Sequence, residues 1–358
     1  MTSIYQKEQN QTLTLKLREI QSQLPDFCME FFRGMADQTQ IKTRIAYAFD
    51  LRIFFYYLLE ENERFHNRKD TADFTVQDLD EISATDIEKF SEYLGMYSLP
   101  HYKNKDKMIT YTNSAKGKMR KLSTLRSFYG YYFKKEKIKT NPTVLVDLPK
   151  LHEKPIIRLE ANEVADLLDS IESGDKLTKG QQRFYTKNAQ RDLALISLLL
   201  GTGIRISECV GLNIRDFDFE NSSFVVTRKG GDQSILFLPD EVKEILLRYI
   251  KEIRSAIIPL EEKDQDALFL SLQKKRMTVS SIEKMLKKYT KTVVPLKNIS
   301  PHKLRSTFGT NLYKETGDIY LVADVLGHKD VNTTKKHYAA IEEDRRRIAA
   351  KVTKLRED

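Results

Sequence analysis

The chain has 358 residues, of which 40 % are hydrophobic and 31 % charged, with a formal net charge of +9. That length fits two domains, each able to bury its own core, and the composition excludes intrinsic disorder and collagen-like repeats. Its two cysteines, Cys28 and Cys209, lack CxxC or Cys/His spacing, which excludes a disulfide scaffold or zinc ribbon, suits a reducing compartment and leaves no expectation of a structural metal.

The opening residues, MTSIYQKEQNQ, are polar with no apolar leader core. The longest apolar run, Leu193 to Leu200, is far short of a bilayer span, so a cytoplasmic protein is expected. Residues up to about 150 read as helices joined by polar loops. Apolar positions near helical spacing predict a helix over Thr43 to Glu60, and others follow over Asp86 to Leu94 and Ser123 to Phe133. In SATDIEKF, Thr85 or Ser83 is the expected cap. An all-α domain is therefore predicted. Its aromatic runs, FFYYLL and FYGYYF, are dense enough to be assigned to helix packing rather than base stacking.

Charge is concentrated between His101 and Thr140, where twelve Lys or Arg stand against Asp106 and Glu136. A polyanion suits such a segment, because each cation that neutralises a phosphate releases condensed counterions. Charge alone does not separate this from a solvated basic helix. In TNPTVLVDLPKLHEKP three prolines exclude a continuous helix and predict a linker, placed at 151–158. The second domain, 159–358, opens with helices over Leu159 to Ile171 and Arg191 to Leu200. Next, FDFENSSFVVTRKGGDQSILFLP predicts three short antiparallel strands with turns at Asn221-Ser222 and Gly230-Gly231. Helices resume at Asp240, interrupted near Pro259, Pro295 and Pro301. The expected fold class is mainly α with a small antiparallel sheet, a helical domain followed by an α+β domain.

Several side chains that suit phosphate chemistry lie in this second domain. Arg205 follows Gly201-Thr202-Gly203, where missing Cβ atoms let a phosphate approach the backbone, and a guanidinium there clamps two oxygens. Lys229 sits at the predicted hairpin tip, RKGG, within reach of a leaving oxygen. His302 and Arg305 in PHKLR share a helical face, His328 stands in LGHKD, and Tyr338 follows ten residues later. Each has a bland reading alone: a solvated turn lysine, a loop histidine, a surface ion pair, a half-buried tyrosine. Together they supply what metal-free phosphodiester transfer requires: charge stabilisation, an acid, a base and a nucleophile. A phenol with a pKa of about 10 is a poor nucleophile at neutral pH and needs a nearby base or cations.

TGIRISE, RKGG, PHKLR, LGHKD and the late Tyr338 occur in an order and spacing that resemble the tyrosine site-specific recombinases, the Xer and phage-integrase family. QRDLALISLLL, VTRKGG, DALFLSL and SSIEKMLKKY are similar to the XerS-type single recombinases of Firmicutes, and SAKGKMRKLSTLRSFYGYY resembles the family's core-binding domain. The resemblance implies that Tyr338 attacks the scissile phosphate, giving a 3′-phosphotyrosyl link and a free 5′-hydroxyl. Arg205 and Arg305 would bind the non-bridging oxygens, Lys229 would protonate the leaving 5′-oxygen, His302 would assist proton transfer at the tyrosine and His328 would bond the phosphate. Glu208 would support them from behind. The covalent link conserves the phosphodiester energy, so no cofactor is needed. Where many members have a histidine directly after the HxxR arginine, this chain has Ser306.

The resemblance also implies two domains clamping double-stranded DNA. The helix carrying Lys116, Lys118, Arg120, Lys121 and Arg126 is the candidate for groove and phosphate contacts, with Lys42 and Arg44 as further candidates. After Tyr338, the residues Ile341, Ile348, Val352 and Leu355 fall near one helical face. Such a helix either folds back on its own domain or docks on a neighbouring protomer, which in the family closes a tetramer on two DNA sites. Expected partners are a recombination site, further copies of the chain and a DNA translocase. Resolution of chromosome dimers is favoured over the integrase role of a mobile element, on the resemblance to XerS-type recombinases and on the expectation that no added arm-binding domain precedes the helical one. The rival readings are a type IB topoisomerase, which uses similar residues as a monomer, and a non-catalytic DNA-binding protein.

Overall fold

The computed structural model describes residues 4–151, 157–228, 231–328 and 331. The chain is mostly helical with two small antiparallel sheets, and it divides into two compact units, residues 6–153 and 154–358. Each unit has its own apolar core.

In the first unit the principal helices are α1 (Ile4–Gln21), α2 (Cys28–Gly34), α3 (Ile41–Glu61), α4 (Ala84–Tyr93) and α5 (Ala115–Lys134). Of the two expected caps for α4 the backbone uses Ser83, in a reciprocal capping box with Asp86. The aromatic runs are core: Phe54, Phe55, Phe128, Tyr129 and Tyr132 are all fully buried. Phe128 meets Phe31 and Tyr132 edge-on at 5.2 and 5.1 Å between ring centroids.

The prediction of an all-α first domain is corrected by a hairpin between α4 and α5, formed by β1 (Met96–His101) and β2 (Asn104–Thr112). Its inward face carries Tyr97 and Leu99, with Tyr97 stacked between Tyr93 and Tyr111. The signal was masked by Pro100, which breaks the strand register, and by a turn at Tyr102-Lys103 with no glycine.

The second unit contains α6 (Ala161–Ser173), α7 (Lys179–Thr202), α8 (Ile206–Gly211), α9 (Asp240–Glu252), α10 (Val279–Val293), α11 (Pro301–Thr316) and α12 (Ile319–Leu326). Between α8 and α9 run β3 (Phe217–Asp218), β4 (Ser223–Thr227) and β5 (Gln233–Phe237), antiparallel in the order β3-β4-β5. The core forms where the apolar second half of α7 is wrapped by α6, α9 and α11, with Leu195, Ile196 and Leu198 wholly inaccessible. None of the described helices is long and apolar enough to cross a membrane.

Candidate active site

The site begins where α7 stops. Gly203 adopts φ +61°, the left-handed conformation that ends a helix, and a Cβ there would collide with the Phe308 ring of α11. Its carbonyl oxygen accepts from Arg305 Nη1 at 2.6 Å. Two residues on, Arg205 is the N-cap of α8. The Glu208 carboxylate accepts from the Arg205 backbone N–H and from its Nη1, both at 2.8 Å. Glu208 is 6 % exposed and Arg305 4 %, so these charges are held inside the fold rather than at its rim.

The organising feature is the C-terminus of α12, whose last carbonyls have no partners within their own helix. Three successive oxygens each accept from an arginine of a different chain segment. Arg228 Nη2 donates to Val325 O at 2.8 Å, Arg305 Nη2 donates to Leu326 O, and Arg205 Nη2 donates to Gly327 O at 3.1 Å. The partial negative charge of a helix C-terminus favours such cations. Gly327 closes the helix at φ +61°, and His328 follows at once, its N–H donating to Ala323 O at 2.9 Å.

Sequence reasoning missed Arg228. Its side chain is 8 % exposed and its Nη1 donates to Glu208 Oε2 at 3.3 Å, so one carboxylate is shared between Arg205 and Arg228. A signal was present, because the alternation along β4 buries Phe224 and Val226 and carries Arg228 to the same inward side. An arginine at a core register needs a carboxylate or carbonyls to meet it.

His302 lies exposed on α11 one turn before Arg305. Ser306, at the departure from the family pattern, turns its hydroxyl back onto the His302 carbonyl at 3.0 Å. Lys229 and Tyr338, together with the 341–355 stretch, lie outside the described residues. The structure thus brings Arg205, Arg305, Glu208 and the backbone of His328 to one helix end. Chemically, three guanidiniums gathered at one helix end, with Arg205 still 30 % exposed, suit the oxygens of a phosphodiester. Cys209, beside Glu208, is no rival nucleophile: burial pushes its thiol up to about 12, and the Glu208 charge adds to the shift.

In the first unit the basic helix is only partly available to a ligand. Lys116 is exposed and Lys118 half-buried. Lys121 is corrected from a DNA-contact candidate to a core residue: it is 6 % exposed, and its Nζ donates to Asn113 Oδ1 at 2.7 Å. Burial lowers its pKa from the usual lysine value. Arg126 is likewise engaged in the fold, donating to Thr143 O at 3.2 Å and Val146 O at 2.6 Å. Arg120 pairs with the buried Asp50 at 2.7 Å, and burial holds that carboxyl above its ordinary range against the pull of Arg120. On α3, Lys42 is exposed and Arg44 half-buried.

The fold and the arginine-lined helix end define a tyrosine recombinase: residues 158–345 match the phage integrase family, and the chain belongs to it. The chain is 30 % identical to tyrosine recombinase XerS of Streptococcus mutans serotype c over 359 residues, 94 % of this chain and 98 % of that protein. It is 31 % identical to tyrosine recombinase XerD of Staphylococcus epidermidis over 259 residues, 70 % of this chain and 83 % of that protein. Among solved structures, its fold is similar to that of XerH site-specific recombinase bound to a palindromic difH substrate, with a TM-score of 0.62 at 19 % identity, covering 98 % of this chain and 97 % of that one. The Tn1549 transposon integrase in complex with transposon right-end DNA is similar at a TM-score of 0.61 and 20 % identity, covering 90 % of this chain and 99 % of that one.

Proposed function

We propose that this recombinase cuts and rejoins double-stranded DNA at a specific site through Tyr338, using the arginine cluster at the end of α12 as its phosphate pocket. The carrying observation is that three arginines from separate segments converge on successive carbonyls of one helix end, beside His328. Such a pocket places fixed positive charge where a pentavalent phosphorane gains negative charge. In the proposed reaction the Tyr338 phenolic oxygen forms a bond to phosphorus while the bond to the 5′-oxygen breaks. Arg205 and Arg305 hold the non-bridging oxygens, and His328 bonds the same phosphate. The phenolic proton passes to His302, and Lys229 gives a proton to the departing oxygen. The product is a 3′-phosphotyrosyl ester and a free 5′-hydroxyl. A second 5′-hydroxyl reverses the step and exchanges strands.

Residues 1–150 serve as the DNA-holding domain and 159–358 as the catalytic domain, the chain after Tyr338 contacting a neighbouring copy in a tetramer. The role we propose is resolution of chromosome dimers before cell division, in the cytoplasm, with a DNA translocase as partner. Similarity to an XerS protein along 94 % of the chain supports that role over integration of a mobile element.

A duplex nicked within the spacer of its recombination site traps the covalent species, because the short 5′-hydroxyl strand diffuses away. Wild-type protein is expected to form an adduct whose labelled peptide contains residue 338, and Tyr338→Phe is expected to bind the same DNA and form none. An adduct with Tyr338→Phe assigns the nucleophile elsewhere, and no adduct with wild type leaves a DNA-binding protein without this chemistry.

A further inference from the structure

We infer that Arg228 is a positioning residue for the acid Lys229, fixing the stem of the β4–β5 turn to the arginine pocket so that the next side chain reaches the leaving oxygen. The inference rests on the reading of Lys229 as the acid given above.

Three observations carry it. The backbone of Arg228 closes the turn on both sides: its N–H donates to Asp232 O at 2.7 Å and its carbonyl accepts from Gly231 N at 3.1 Å. The side chain, 8 % exposed, spans from Glu208 at 3.3 Å to Val325 O at 2.8 Å. It therefore ties the turn both to the partner of Arg205 and to the helix end that carries His328. Finally, it lies against Gly327, where an added Cβ would stand 3.0 Å from Arg228 Nε, so the guanidinium packs closely on the residue that ends α12. Lys229 follows Arg228 directly in the chain, and restraining the attachment point of an acid side chain lowers the entropy lost when it meets one oxygen. A planar guanidinium can bridge a carboxylate and a carbonyl at once, whereas an ammonium is a single point charge.

The test uses the full-length protein and two nicked duplexes, one with the ordinary 5′-oxygen at the scissile bond and one with a bridging 5′-sulfur, whose thiolate leaves without a proton. Arg228→Met is expected to slow cleavage of the oxygen substrate by ten- to a hundredfold and of the sulfur substrate by less than threefold, with DNA affinity within twofold of wild type. Lys229→Ala should show the same pattern, and the double variant should be no slower than Lys229→Ala alone, because two residues acting through one step are not additive. Arg228→Lys guards against misfolding of the methionine variant. It keeps a cation near Glu208 but loses the bridge to Val325, and should show a smaller defect that sulfur also removes. Equal slowing of both substrates by the Arg228 variants, with Lys229→Ala rescued, overturns the positioning role and leaves the acid reading intact. So does Arg228→Lys cleaving the oxygen substrate at the wild-type rate. No rescue of Lys229→Ala sinks the acid assignment and the role of Arg228 with it.

Discussion

Among individual residues, the burial of arginine alone says little about function. In the second unit Arg191, Arg254 and Arg276 are buried like Arg305, all at 9 % exposure or less, yet their bonds go to backbone carbonyls and structural carboxylates. Arg191 holds Leu270 O at 2.9 Å and Asp192, while Arg254 holds Ala267 O and Gln265 O at 2.8 and 2.6 Å. Arg205, Arg228 and Arg305 differ because all three end at one helix terminus beside a histidine. Gly203 controls this arrangement through its positive φ and its carbonyl bond to Arg305. Gly203→Ala is expected to destabilise the protein by about 1–3 kcal/mol, combining left-handed strain with displacement of Phe308, and to slow cleavage as well. Urea unfolding measures the first effect and nicked-duplex cleavage the second. Arg205, Arg305 and His328 were legible in the sequence as a spaced set. Arg228 was not, because an arginine one position before a turn lysine looks like surface charge until its register with Phe224 and Val226 is known.

Secondary elements were legible wherever local chemistry repeats. Ser83, one of the two expected caps, begins α4, and Pro301 opens α11. Ser83→Ala is expected to cost about 1 kcal/mol, measured by urea unfolding, since it strips the oxygen that accepts from the Asp86 N–H. A change below a few tenths would mean that Asp86 alone satisfies the helix start. The β1–β2 hairpin was illegible because its turn has no glycine and Pro100 stands where the strand register shifts. Helix α5 shows a second limit. Its basic residues form one continuous signal in sequence, yet Lys121 and Arg126 are spent on Asn113, Thr143 and Val146, leaving Lys116 and Lys118 for a ligand.

For the whole molecule, the concentration of positive charge between His101 and Thr140 is the proposed source of salt-dependent DNA affinity. The double change Lys116→Ala and Lys118→Ala should weaken binding at low salt for any DNA sequence. It should also reduce the slope of log affinity against log salt by about 1 for each phosphate deprived of its lysine. A titration in which the slope is unchanged would remove these two lysines from the interface. By itself the sequence determined a mainly helical chain long enough for two cores, and it gave in order the arginines, histidines, lysine and tyrosine proposed for the site. It could do so because turn glycines, prolines, helix caps and hydrophobic periodicity act over a few residues. Only the tertiary structure decided which arginines meet, that Glu208 serves two of them, and that the end of α12 gathers all three. Those facts depend on tertiary contacts, Arg205 meeting Gly327 across 122 positions and Arg228 meeting Val325 across 97, where a guanidinium shielded from water bonds whichever carbonyl or carboxylate the packing brings near.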